Sequence, residues 1–163
     1  MIDAAPPPGT VPDPDDPVLR GCRALAHAMG TFDEAACRAL GVGRSDLRAL
    51  NLLEHGPRTA TALAEHLGLT KPAITALVDR LEVAGYVRRT PDPADRRARQ
   101  IELRPAVWEA FASVYRPLGH CVVAASRGLA VDERARLARH LHQLADAYAE
   151  TAGSLSAIRV EAG

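Results

Sequence analysis

At 163 residues, 47% of them hydrophobic, the chain has the length of one domain that buries roughly 70% of its unfolded surface. Only 4% of residues are aromatic, so the expected core is Leu, Val and Ala, the composition of packed helices. Twenty basic residues balance twenty acidic ones, so any excess of charge must be local. No stretch approaches the ~18–20 apolar residues of a membrane span, and no basic-then-apolar leader opens the chain. Cys22, Cys37 and Cys121 form no CxxC pair, which argues against a disulfide framework or zinc ribbon and for a cytoplasmic location.

Residues 1–17, MIDAAPPPGTVPDPDDP, hold six of the twelve prolines and four acids with no base. Such a segment cannot bury enough apolar surface to order itself, and it reads as a disordered acidic, Pro-rich tail. From Val18 to Leu40 the pattern turns helical, with Leu19, Cys22, Leu25 or Ala26, Met29 and Phe32 at three- and four-residue spacing. Gly41-Val42-Gly43 breaks it. Ser45 is then the expected cap of a second helix through Glu54, with Leu47, Leu50 and Leu53 on one face, ended by His55-Gly56-Pro57.

Residues 59–67, TATALAEHL, predict a short helix capped by Thr59, with Leu63 and Leu67 inward. Gly68 supplies a left-handed turn, and Thr70 caps the next helix. In that helix Ile74, Leu77, Val78 and Leu81 recur at i, i+3, i+4 and i+7, one apolar stripe. The opposite face carries Lys71, Pro72, Thr75, Ala76 and Asp79, and Gly85 closes the C-terminal end. Helix, tight turn with Gly, helix is the helix-turn-helix pattern. A helix that buries one face and presents short polar groups on the other fits a groove.

Tyr86–Thr90 and Gln100–Leu103 predict two strands of a hairpin whose tip is PDPADRRAR, too rich in Pro and charge to be buried. Residues 85–101 hold five Arg (88, 89, 96, 97 and 99) against Asp92 and Asp95, a local excess of three positive charges. A basic loop beside such a helix suits phosphate contact and insertion into a narrow minor groove. Lys71 is the only lysine in the chain.

Pro105 opens a long helix with Val107, Trp108, Phe111, Val114, Leu118, Val122 and Val123; Pro117 removes one backbone donor and is expected to kink the helix rather than end it, because the apolar pattern continues, and Gly128 is the expected stop. A last helix spans about Asp132–Glu150, with Leu137, Leu141, Leu144 and Tyr148 on a 4-3-4 spacing, and residues 151–163 form a frayed tail. The first and last helices have more apolar surface than a small core needs. A two-fold dimer that packs them on their copies resolves this, and it sets two reading helices about one DNA turn apart.

There is no GxGxxG after a strand, P-loop, GxSxG or HExxH, so the chain is not read as an enzyme. His140 and His142, two apart on a helix, point to different sides, and no HxxxH or carboxylate cluster suggests a metal; no cofactor is expected.

The string LAEHLGLTKPAITALVDRLEVAGYVRRTPDPADRRARQIEL resembles the MarR family of winged helix-turn-helix transcriptional regulators. The order of Leu-Ala, Gly-Leu-Thr, Val-Asp-Arg-Leu, Gly-Tyr-Val-Arg-Arg and Asp-Arg-Arg carries the likeness, which extends over roughly residues 18–150. The resemblance implies a mainly α fold with a small β-hairpin wing. A winged helix-turn-helix core over about 44–104 would lie between dimerisation helices at about 18–40 and 105–150. By position, Lys71, Pro72, Thr75 and Ala76 would face major-groove bases, Thr70 would cap and touch phosphate, and Arg80 would lie near the DNA backbone. Asp95 would brace the wing, Arg97 would enter the minor groove, and Arg96 and Arg99 would hold phosphates. Leu103 is followed by Arg104-Pro105 where the family usually has Leu-Thr, which weakens the cap of the next helix.

The function so implied is a double-stranded-DNA-binding regulator, a repressor that binds an inverted-repeat operator as a homodimer. A small-molecule effector would bind in a pocket between the dimerisation helices and the winged core. Two alternatives stay open: a winged-helix module that docks a protein, and a redox-responsive regulator centred on Cys22.

Overall fold

The computed structural model describes residues 13–92 and 98–155. Most of the acidic tail, the wing-tip residues Asp95, Arg96 and Arg97, and the chain after Leu155 lie outside the described residues. The order of elements is α1 (Pro17–Leu40), α2 (Arg44–Leu53), β1 (Arg58–Thr59), α3 (Ala60–Leu67), α4 (Lys71–Val83), β2 (Val87–Pro91), β3 (Arg99–Leu103), α5 (Val107–Ala125) and α6 (Val131–Leu155). The fold is mainly helical with a small winged sheet, as expected. The chain divides into two compact units, one through Val114 and one from Tyr115.

In the first unit, Asp16 caps α1, its Oδ1 accepting from the Val18 and Leu19 N–H groups at 2.8 and 2.9 Å. Only the last turn and a half of α1 is buried, through Ala36, Cys37 and Leu40. The core then takes Leu47, Leu50 and Leu53 from α2, Leu63 and Leu67 from α3, and Ile74, Leu77, Val78 and Leu81 from α4. Val87, Ile101, Val107 and Phe111 close it from the sheet and the start of α5. The apolar stripes anticipated on α2, α3 and α4 are the buried faces of those helices.

Several details differ from the sequence reading. The cap of α2 is Gly43, not Ser45, because Asp46 reaches back and its Oδ2 accepts from the Gly43 N–H at 3.1 Å. The sheet has three strands in the order β1-β3-β2, all antiparallel. β1 was not anticipated: two residues are too short for an alternation to show. It pairs Arg58 with Ile101 and Thr59 with Gln100, and the same Thr59 caps α3 through its Oγ1.

In the second unit α5 continues through Pro117 and ends at Ala125, three residues before Gly128, in a turn made by backbone bonds from Ser126 and Arg127. Residues 105–106 lead into α5 as a turn, so Pro105 precedes the helix instead of opening it. α6 runs to Leu155, so residues 151–155, expected to fray, are helical. No residue of α6 is buried, and Leu137, Leu141, Tyr148 and Leu155 stand in solvent.

Candidate nucleic-acid interface

The turn between α3 and α4 is built by two local devices. Gly68 adopts φ 66°, a left-handed conformation that a side chain disfavours, and ends α3. Two residues later Thr70 caps α4, its Oγ1 accepting from the Ala73 N–H at 3.4 Å. Pro72 sits in the first turn, where its missing donor costs nothing. α4 therefore starts abruptly, with exposed Lys71 at its first position and the positive end of the helix dipole there, a favourable end for an anion.

With Ile74, Leu77, Val78 and Leu81 buried, Lys71, Pro72, Thr75, Ala76, Asp79 and Arg80 are all exposed. The structure thus exposes together the five α4 residues that helical spacing placed on the free face, and Arg80, which the family resemblance had set near the DNA backbone. They differ in what holds them. The Thr75 hydroxyl donates to the Lys71 carbonyl at 3.0 Å. Arg80 reaches across to α2, its guanidinium 2.7 Å from Asp46 Oδ1. Lys71 forms no ion pair among the described residues.

Asp46 is the residue that sequence reasoning missed. Its side chain is 9% exposed, and its two oxygens do separate things: one caps α2, the other fixes Arg80 of α4. An acid three residues after a glycine that ends a loop is the local signal that could have found the first role. The pairing with Arg80, 34 positions away, has no local signal.

The wing is a hairpin in which Val87 pairs with Leu103 and Pro91 with Arg99, extended by an Asp92 N–H to Ala98 carbonyl bond of 3.1 Å. Its root is anchored twice. The Tyr86 hydroxyl donates to the Leu40 carbonyl at 2.7 Å, and the Arg104 N–H donates to the Tyr86 carbonyl at 2.9 Å. Gly85, at φ 79°, makes the reversal from α4 into this strand.

The local excess of positive charge is smaller at the wing root than a count along the chain gives. Arg88 faces its cross-strand neighbour Glu102, Nε to Oε1 at 2.5 Å. Arg89 is held by Asp79 and Glu82 of α4, and the Asp79 hydrogen bond, with the nearby charge of Glu82, pushes its pKa further up. Arg99 is exposed at the outer end of β3. Asp95, Arg96 and Arg97 lie outside the described residues.

Cys37 is buried, and desolvation, with Asp33 adding to it, pushes its thiol pKa up, away from a reactive thiolate. Cys22 is half-buried and Cys121 exposed. No group of three or more metal-ligating side chains occurs among the described residues. No described helix is long and apolar enough to cross a membrane.

A short helix, a glycine turn, a second helix with an open polar face and a hairpin packed on that helix define a winged helix-turn-helix protein. Residues 40–98 match the family model described as MarR family. YcgE, an HTH-type transcriptional regulator of Bacillus subtilis (strain 168), is 40% identical over 114 residues, 67% of this chain and 74% of that protein. The chain belongs to the MarR family of transcriptional regulators. Among solved structures, the transcriptional regulator Tm0710 from Thermotoga maritima superposes with a TM-score of 0.62 at 25% identity, covering 84% of this chain and 97% of that one. A MepR mutant from S. aureus, bound to an oligodeoxyribonucleotide, shares the fold with a TM-score of 0.52 at 21% identity, over 79% of this chain and 96% of that one.

Proposed function

We propose that this protein is a cytoplasmic repressor that binds an inverted-repeat operator in double-stranded DNA as a homodimer and is released by a small-molecule effector. The observation that carries the DNA reading is the free face of α4: an abrupt, capped helix start, short side chains and an unpaired Lys71 beside an Arg-bearing wing. Lys71, Pro72, Thr75 and Ala76 meet the major groove, and Thr70 meets phosphate. Arg80, fixed by Asp46, lies beside the DNA backbone. Asp95 braces the wing, Arg97 enters the minor groove, and Arg96 and Arg99 hold phosphates. The MepR mutant of like fold bound to an oligodeoxyribonucleotide is in keeping with DNA as partner.

The dimer rests on the exposed apolar residues of the long helices. Val18, Leu25 and Met29 of α1, Leu118, Val122 and Val123 of α5, and Leu137, Leu141 and Tyr148 of α6 all stand in solvent. A 25-residue helix with an apolar stripe and no buried residue gains its stability from packing that a single copy does not supply. The regions 18–40 and 105–150 are the dimerisation helices of this reading, and 44–104 is its DNA-binding core. Effector release rests on the family likeness.

The test is a duplex titration at rising salt. A protein that neutralises several phosphates loses affinity steeply, log K falling with log salt at a slope of about −0.9 per phosphate. A module that docks a protein through its wing would bind no duplex at low micromolar concentration in moderate salt, and that result would overturn the proposal.

A further inference from the structure

The reading face of α4 is poor in groups that can hydrogen-bond a base. Pro72, Ala76, Asp79 and Val83 follow one another at intervals of four, three and four residues, a single line opposite the buried stripe. Three of these four side chains are apolar, and Val83 is 91% exposed. Asp79, the one acid on that line able to accept from cytosine N4, is engaged by Arg89. Flanking the line, the Thr75 hydroxyl spends its proton on the Lys71 carbonyl, so towards DNA it offers acceptor lone pairs and a methyl group. Arg80, the guanidinium nearest to the face, is held by Asp46.

The side chains that distinguish bases by paired hydrogen bonds are Arg and Lys for guanine, Asn and Gln for adenine, and Asp and Glu for cytosine. On this face only Lys71 is uncommitted among the described residues. The remaining feature of the major groove that short apolar side chains can sense is the C5 methyl of thymine. We infer that the operator half-site is read in the major groove chiefly through thymine methyl groups packed against Pro72, Ala76 and the Thr75 methyl, with Lys71 supplying the one direct cationic contact from this face to a base edge. This rests on the DNA-binding reading above and states what that site recognises.

The experiment starts from a duplex selected by the full-length protein out of a randomised pool, and replaces each thymine in turn with deoxyuridine. That change deletes one methyl and leaves every Watson–Crick and groove hydrogen-bonding group in place. Each buried methyl is expected to weaken binding about fourfold when removed, at two or more positions in each half-site. Thr75→Ser keeps the hydroxyl and its bond to the Lys71 carbonyl but deletes the side-chain methyl. It should lose affinity for the thymine duplex and become indifferent to deoxyuridine at one position, a non-additive pair. Where a contacted thymine is exchanged for cytosine, 5-methylcytosine should recover part of the loss. Binding within twofold of the parent for every deoxyuridine duplex overturns this inference and leaves the protein a DNA reader by other contacts. A pool that yields no bound duplex removes the DNA reading itself, and this inference with it.

Discussion

The two ends of α4 treat charge in opposite ways. At the first turn Lys71 is exposed and forms no ion pair among the described residues. Towards the other end every charged group is engaged: Arg80 with Asp46 of α2, Asp79 and Glu82 with Arg89 of β2. A cation with no protein partner adds little to the fold and is available to a phosphate. A paired one fixes the angle between elements and presents a partly cancelled charge. Positive charge counted along a sequence therefore overstates what a polyanion meets, and only the unpaired share should appear in the salt dependence of binding.

Substitutions break that comparison at different points. The largest effect belongs to the buried side of α4: Leu77→Ala removes a side chain that is 1% exposed and should cost about 2–5 kcal/mol in urea unfolding. Asp46→Ala should follow at about 1–3 kcal/mol, because it unties the α2 start and strands Arg80. Because it frees Arg80, its salt slope on duplex DNA should be no shallower than that of the parent. Lys71→Ala reverses this pattern, with unfolding unchanged within about 0.5 kcal/mol and the salt slope shallower by about 0.9. Arg97→Ala is expected to weaken DNA binding while sedimentation still reports a dimer. The smallest effect is the coupling of Arg89 to Asp79, both partly exposed, which a double-mutant cycle with Arg89→Gln and Asp79→Asn should measure at about 0.2–1 kcal/mol. A Lys71 variant that loses stability, or an Asp46 variant that loses a phosphate from the slope, would erase the distinction between the two ends.

The cysteines offer a separate check on burial. A raised pKa leaves Cys37 more fully protonated near neutral pH than an ordinary thiol. An aromatic disulfide reagent should therefore modify Cys121 first and Cys37 last. Rapid modification of Cys37 in the folded protein would contradict its place in the core.

What could be read in the sequence was what repeats or punctuates. The apolar stripe of α4, the caps Thr59 and Thr70, the turn at Gly68 and the hairpin around the basic tip are all set by neighbours a few residues apart. What could not be read depends on pairs distant along the chain. β1 exists because Ile101 and Gln100 of β3 offer it a partner, and Asp46 reaches Arg80 only once α2 packs on α4. The neutralisation of Arg89 likewise needs α4 and β2 side by side. For the candidate interface, the exposed face of α4 was identifiable from helical spacing, whereas the pairing of its charges was not, because spacing carries no information on which charges are already partnered.

The central claim is that two copies of this free face grip one duplex. Hydroxyl-radical footprinting on the selected operator tests it most directly. Two protected patches related by a two-fold axis, their centres about one helical turn or 10–10.5 base pairs apart, are expected, and both should fade together in Lys71→Ala. A single protected patch, or protection that survives unchanged in that variant, would contradict it.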